Sequence, residues 1–477
     1  MRIVVFGTGD YYQRYKKWLV EEQVIALIDN SVEKQGRLID GIHVYAPEHI
    51  SELSYECVLI LSFCYTEMRN QLLELGVDEG CIYHFYSIRK IIEWKKQKKK
   101  LIQYGMAERL VCSQKTNILL LSPELNNGGP AIALYYAALI FQKEGYNVLV
   151  ASMIDGELRN QYLQMHIPVI IDSNLQVSVM EEEDWVNGFD LLLCNTLNFY
   201  VFLSKRNVEK PCIWWLHEVD FFYDGVDKKT LANVNFENLR IVAVGDLPKL
   251  ALKKRRPDAI IENLLYCVDD ERKKQVDNRK NIENILKIAL VGYLEEIKGQ
   301  DILLEAISRL SLEKRKKIQM FLVGQDKTLF GDYLKKKYAY LENVEYVGVI
   351  NRKEIHRLYD EIDILVCPSR QDSMPTVVAE AMMHSKVSII SDAVGTKKYI
   401  MDGINGFIFQ SESICELQKR IEWCVNHKDR LIDIGKMARK TYEKIFSKSA
   451  FEARLMGICG ELLNDEELGN EDSDLRT

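Results

Sequence analysis

Residues 363–383 read DILVCPSRQDSMPTVVAEAMM, an apolar run, a polar loop bounded by prolines, and then a stretch rich in helix formers. DILVC is strand-like, and Pro375 suits the first turn of a helix, where a missing N–H removes no intrahelical bond. Asp372 therefore falls in the loop and Glu380 in the helix, 380 − 372 = 8 positions apart. Both carboxylates can then face one cleft at the carboxyl end of a strand, where open α/β sheets bind ligands. An acid before the helix can accept hydrogen bonds from sugar hydroxyls and one within it from a ribose. The amides of Ser373, Met374 and Thr376 face any phosphate at the helix start.

Upstream, KIALVGYLEEIKGQD (287–301) has the same strand-then-loop layout and puts Lys298 close to a strand end. A cation there can neutralise charge developing on a departing diphosphate. Apolar runs of about five residues alternate with longer helical patterns through nearly the whole chain, which predicts an α/β fold of parallel sheets covered by helices. The first unit, 1–88, holds RIVVF, VIALI and CVLIL; a second spans 115–268; the charged stretch DDERKKQVDNRKNIEN (269–284) separates it from a third over 285–447. A closing helix over 448–465 and an acidic tail over 466–477 follow. Between the first two units, 89–114 reads as a basic amphipathic linker helix, either a solvated spacer or a contact for anionic lipid.

Lys+Arg 63 against Asp+Glu 70 gives a net charge of −7 over 477 residues, which argues against a protein built to grip nucleic-acid phosphates. The 11 cysteines, among them Cys57, Cys194 and Cys367, lack the paired spacings of a zinc site or a disulfide framework. That usage fits a reducing cytoplasm. MRIVVFGTGD lacks the layout of a secretory signal, and no apolar run approaches the roughly 20 residues a membrane span needs. Any membrane contact is expected to be peripheral, at the inner face of the plasma membrane.

In the second unit, Gly128 and Gly129 precede Pro130 at a helix start, so free amides can receive an anion there. CIWWLHEVD puts His217 just past the end of a buried strand. In the first unit, Gly7 and Gly9 follow a strand, and Asp29 ends the next one, 29 − 9 = 20 residues later. This is dinucleotide-site geometry, but Tyr12 stands where the third glycine belongs. NAD binding, a sugar-nucleotide or other small-ligand pocket, and a purely structural turn all remain open there. Through GTGDYY, ALIDN and KQGRLIDGIHVYAPEHI, about 90 residues resemble the N-terminal Rossmann-like domain of sugar-modifying acyltransferases.

The run from KIALVGYLEEIKGQDILLEAI through FLVGQD to NVEYVGVINRKEIHRLYDEIDILVCPSRQDSMPTVVAEAMMHSKVSIISDAVGTKKYIMDGINGFIF resembles the family-four GT-B glycosyltransferases of group 1, over residues 115–465. The resemblance implies two facing Rossmann-like domains, a nucleotide-diphosphate sugar held by the C-terminal one, an acceptor received mainly by the N-terminal one, and transfer with retention. It implies that Glu380 holds the ribose, Asp372 the donor sugar, and Lys298 the diphosphate. The family's glycine-rich loop falls on Gly128 and Gly129, its histidine near the transferred sugar on His217, and its base contact on the backbone around Val349. Tyr293 stands where a basic residue often follows the first glycine of the third unit, and Asp372 is shorter than the usual Glu.

The expected function is a retaining hexosyl-type transfer onto a lipid-linked or other glycan acceptor in cell-surface polysaccharide (capsule-type) assembly. No cofactor beyond the donor substrate is expected, and no metal, since no DxD-like acid cluster sits at a strand end. The rivals are a sugar-nucleotide epimerase on the same scaffold and a non-catalytic sugar-nucleotide-binding partner of another transferase.

Overall fold

The computed structural model describes residues 2–19, 23–62, 64–84, 101–105, 110–172, 175, 184–272 and 285–471. The chain forms two compact units, one made of residues 1–98 with Phe221–Asp227 and Thr328–Phe330, the other of the remainder. The sequence suggested three separate units. Three sheets are indeed present, but the second and third belong to one compact unit.

The smaller unit holds β1 (Arg2–Phe6), β2 (Gln23–Ile28), β3 (Leu38–Ile39), β4 (Ile42–Tyr45), β5 (Cys57–Ile60) and β6 (Ile82–His84), in the order β3-β4-β2-β1-β5-β6. The pairs are parallel except β3 with β4. Its unbroken apolar strands β1 and β5 are buried on both faces, as parallel strands between helices must be.

The larger unit has two lobes. Its first sheet holds β7 (Leu101–Tyr104), β8 (Asn117–Glu124), β9 (Asn147–Ile154), β10 (Val169–Asp172), β11 (Leu191–Asn195), β12 (Cys212–Leu216), β13 (Leu239–Ala243) and β14 (Ile261–Asn263). Their order, β14-β13-β12-β11-β8-β9-β10-β7, makes β8 and β11 the neighbours at which the winding reverses. The second sheet holds β15 (Leu286–Val291), β16 (Ile318–Val323), β17 (Val344–Gly348), β18 (Ile364–Cys367), β19 (Val387–Ser391) and β20 (Phe407–Phe409). It is parallel throughout, in the order β17-β16-β15-β18-β19-β20, and reverses between β15 and β18. Such reversal points open a crevice at the strands' carboxyl ends.

Two boundaries need correction. The expected linker helix over 89–114 lies largely outside the described residues, and where it is described, Leu101–Tyr104 is the strand β7, antiparallel to β10. Ile102 and Tyr104 pack on the core while Gln103 between them is exposed, a period of two that the neighbouring lysines concealed. The second sheet thus begins at residue 101 rather than 115. At the other end, the closing helix runs Lys448–Glu471, so the expected tail begins later than 466. That helix returns to the first lobe, where Phe451 stacks on Trp215 with ring centroids 5.6 Å apart. Among the described residues no helix is long and apolar enough to cross a membrane.

Candidate active site

The loops after β15 and β18 meet at the reversal point of the last sheet. The chain leaving β15 turns at Gly299, whose φ of +70° lies in the left-handed region; a Cβ there would also stand 2.2 Å from the Pro368 carbonyl oxygen. Only glycine lets this turn lie against the loop after β18. Arg370 then clamps the two loops: its amide donates to the Ile297 carbonyl at 2.8 Å, and its guanidinium takes both Asp301 oxygens at 2.9 and 2.7 Å. Bidentate pairing of this kind fixes geometry as well as adding attraction.

Held this way, Lys298 Nζ donates to Asp372 Oδ2 at 2.7 Å. Burial opposes the lysine's charge, but the Asp372 carboxylate beside it outweighs that cost and lifts its proton affinity above the ordinary value. The Asp372 carbonyl accepts from the Gly395 amide at 2.9 Å, and a Cβ on Gly395 would fall 1.8 Å from the Ser373 carbonyl oxygen. Gly395→Ala is therefore expected to push the 372–375 loop out of place while the sheet stays folded. Unchanged circular dichroism with faster amide exchange at 372–375 checks this; wild-type exchange there in the variant would contradict it.

Glu380 lies in the helix Thr376–Met383 and is 5% exposed. Tyr359 donates to its Oε2 at 3.1 Å, and Arg352 Nη1 lies 3.4 Å from its Oε1. Arg352, His356 and Tyr359 share one face of the helix Arg352–Glu361, capped by Asn351 and Glu354. Pro375 stands at the cap of the Glu380 helix, one place before the first turn expected of it. Ser373 is half-buried and Met374 is buried. The Met374 methyl reaches the first lobe, 2.8 Å from where a Cβ on Gly245 would stand. Val349 is exposed just after Gly348, whose carbonyl takes the Gly324 amide at 2.9 Å.

In the first lobe, Gly128 caps the helix Gly129–Lys143. A Cβ on Gly129 would lie 3.9 Å from Thr376 Cγ2, so the glycine loop faces the start of the Glu380 helix. Asn195, ending β11, holds that loop by donating to the Pro130 carbonyl at 2.9 Å. His217 follows β12, 8% exposed, its ring 4.9 Å from that of Trp215 and its Nε2 without a hydrogen-bond partner. Burial lowers its pKa to about 3, so it is a neutral imidazole in ordinary buffers.

Glu218 Oε2 accepts from the amides of His217 and Leu197, both at 3.0 Å. Burial nonetheless raises its pKa to about 7, against those amides. A raised carboxyl pKa means the folded chain binds the extra proton. This group's contribution to stability is complete below its unfolded value of 4.5 and is lost as pH rises through about 7. His217 runs the other way: its contribution is present above 6.5 and is lost as pH falls towards 3. The stability of the wild type relative to Glu218→Gln should therefore fall as pH rises from 4.5 to about 7; a difference that does not change over that range would contradict the assignment.

In the smaller unit the glycine turn and Asp29 do come together, but for each other. The two Asp29 oxygens accept from the Thr8 amide at 2.9 Å, the Thr8 hydroxyl, the Ser31 amide at 2.9 Å and Lys34 Nζ at 3.0 Å. Burial opposes the charge, yet the Thr8 hydroxyl and these other donors hold the carboxyl below its usual range. A carboxylate has about four acceptor sites, so little capacity is left for a ribose hydroxyl. Gly7, with φ +99°, would set a Cβ 2.8 Å from the Leu61 carbonyl oxygen. Gly9 precedes the short helix Asp10–Tyr15. These contacts favour the structural turn among the readings left open above.

Sequence reasoning missed Arg352, Tyr359, Arg370 and Gly395. The spacing of Arg352, His356 and Tyr359 along one face of INRKEIHRLYDE was the available signal for the first two. Arg370 and Gly395 act through contacts across loops distant in sequence, which local pattern does not encode.

Residues 269–441 match the family described as Glycosyl transferases group 1, and residues 1–83 match C2185-like, N-terminal. Spore coat protein SA of Bacillus subtilis (strain 168) is 24% identical over 364 residues, spanning 70% of this chain and 95% of that protein. Among solved structures, Anabaena Alr3699/HepE in complex with UDP and glucose aligns with a TM-score of 0.60 at 20% identity, covering 72% of this chain and 100% of that one. WaaG, a glycosyltransferase involved in lipopolysaccharide biosynthesis, aligns with a TM-score of 0.53 at 16% identity, covering 71% and 98%. The larger unit thus has the GT-B fold, and the match to the group 1 glycosyl transferase model covers most of its second lobe.

Proposed function

We propose that this chain is a retaining glycosyltransferase of family four that moves a sugar from a nucleotide-diphosphate sugar to a glycan acceptor. The observation that carries the reading is the Lys298–Asp372 pair at 2.7 Å, at the reversal point of the last sheet, with the buried Glu380 one helix turn inside the next element. In this reading Glu380 holds the ribose, Asp372 the donor sugar, and backbone around Val349 the base. Lys298 and the amides at Gly128, Gly129, Ser373 and Met374 meet the diphosphate. His217, neutral and lacking a partner at Nε2, accepts from or donates to a hydroxyl of the transferred sugar.

Departure of the nucleoside diphosphate breaks the bond between the anomeric carbon and a β-phosphate oxygen. Positive charge builds on the carbon and negative charge on the phosphate, where fixed donors lower the barrier. The acceptor oxygen forms its bond on the face being vacated, and its proton passes to the leaving phosphate. The sugar keeps its anomeric configuration, and Lys298 supplies the positive charge that the departing phosphate needs. The acceptor is proposed to be a lipid-linked saccharide of a cell-surface polysaccharide, met by peripheral contact at the cytoplasmic membrane face. The lipopolysaccharide role of WaaG supports that context by analogy of fold.

The UDP and glucose bound by the Anabaena structure make UDP-glucose the first donor to try. Release of nucleoside diphosphate should be slow with donor alone and accelerated by acceptor, with the product bond keeping the donor's anomeric configuration by NMR. Donor isomerisation without acceptor would favour an epimerase instead.

A further inference from the structure

The helix that carries Glu380 ends at Met383, and His384 caps it four residues beyond the glutamate, about one helical turn. Its amide donates to the Glu380 carbonyl at 3.1 Å, and its ring is buried. This helix therefore meets the helix Arg352–Glu361 at two places. At the first, Tyr359 and Arg352 bracket the Glu380 carboxylate. At the second, His384 Nδ1 lies 2.8 Å from Asp360 Oδ1, and His384 Nε2 lies 3.1 Å from Nδ1 of the buried His356. The two places are joined, because the His384 ring lies flat against that of Tyr359, with centroids 5.5 Å apart and planes at 20°. Lys386 Nζ fixes the far end by donating to the Asp360 carbonyl at 2.9 Å.

The direction of these hydrogen bonds follows from the acid. An ionised carboxylate only accepts, so His384 Nδ1 carries a proton. Burial favours the neutral form of both rings; Arg352 adds to that at His356, and at His384 burial outweighs the pull of Asp360. A neutral His384 then has a bare Nε2, and His356 Nδ1 donates to it. His356 Nε2 is left as an acceptor without a partner. The chain from His356 through His384 to Asp360 thus runs one way in one pair of tautomers, and neither ring can turn over without losing a bond. Apolar side chains would fill the same space with no acceptor left unmet, so what the polar chain adds is direction.

Resting on the donor site proposed above, we infer that His356, His384 and Asp360 are positioning residues that hold the Glu380 carboxylate in register for the ribose hydroxyls of the donor nucleotide. They act through Tyr359, which His384 stacks on and which donates to Glu380, and through the single turn of helix between His384 and Glu380. A carboxylate that must meet two neighbouring hydroxyls depends on such support for its orientation.

His356→Leu removes the donor to His384, and His356→Asn returns an amide N–H near the place of Nδ1. The full chain, wild type and both variants, is titrated calorimetrically with UDP and GDP and with the 2′,3′-dideoxy form of each, with Glu380→Ala in parallel. The wild type is expected to bind one nucleotide at least about tenfold more tightly than its dideoxy form, the difference that hydrogen bonds to a charged group supply. His356→Leu should lose most of that ratio by binding the ribose form more weakly, with the dideoxy form unchanged, and His356→Asn should recover much of it. A wild-type ratio in His356→Leu, with the ratio lost in Glu380→Ala, would overturn the positioning role and leave the donor site standing. Equal weakening of both forms in His356→Leu would also overturn it, since that is what a purely structural role does. No ratio in the wild type, an unchanged ratio in Glu380→Ala, or no binding of either nucleotide would overturn both readings. If His356→Leu fails to fold, Asp360→Ala makes the same comparison from the other end of the chain.

Discussion

Glu380→Ala is expected to cut transfer by two to three orders of magnitude. In the proposed donor site the glutamate offers a ribose two charged acceptors, each worth about 1.5–3 kcal/mol, and every 1.4 kcal/mol is about tenfold. Its loss also leaves the Tyr359 hydroxyl, now donating at 3.1 Å, unsatisfied in a buried place, and it releases Arg352 from a 3.4 Å contact. Some loss of stability should accompany the lost activity. Glu380→Gln separates the two effects, because an amide oxygen can keep the Tyr359 bond while the charge is gone. Steady-state rates and melting temperatures for both variants check the assignment. Transfer at the wild-type rate in folded Glu380→Ala would mean the ribose is held elsewhere.

Lys298→Met is expected to lower kcat by about 10²–10³, the usual cost of removing one donor aimed at developing transition-state charge. The lysine is charged in the free chain and already positioned, so the enzyme reorganises little when the phosphate departs. Its effect should fall on kcat more than on KM, because the phosphate oxygen gains charge during the reaction. With Tyr293 where another basic residue is often found, the cation at this loop has less support, which enlarges the expected loss. A variant whose KM rises while kcat holds would place Lys298 in ground-state binding instead.

Much of the site was legible because its parts are local. The strand at 364–367, the loop acid Asp372 and the helix acid Glu380 follow one another within a single strand–loop–helix unit, where apolar run, proline and spacing speak directly. Lys298 was legible for the same reason, in the loop that follows β15. What holds these residues together was not legible. Arg370 meets Asp301 across 69 positions, and Gly395 makes room for Ser373 because two loops converge after folding. The turn at Gly7 left its readings open, because the glycine pattern of a ligand loop and of a turn locked by its own aspartate is the same until Thr8 is seen on Asp29. β7 was hidden because its four residues adjoin a lysine-rich stretch that dominates any helical-moment reading.

The most direct test of the central claim is amide hydrogen exchange on the full chain, with and without the nucleoside diphosphate that it binds. The account predicts protection at the start of the Glu380 helix and its preceding loop, residues 372–378, and at the glycine loop, 128–132, with residues 7–31 unchanged. Protection confined to 7–31 would contradict it and would make the smaller unit the nucleotide site.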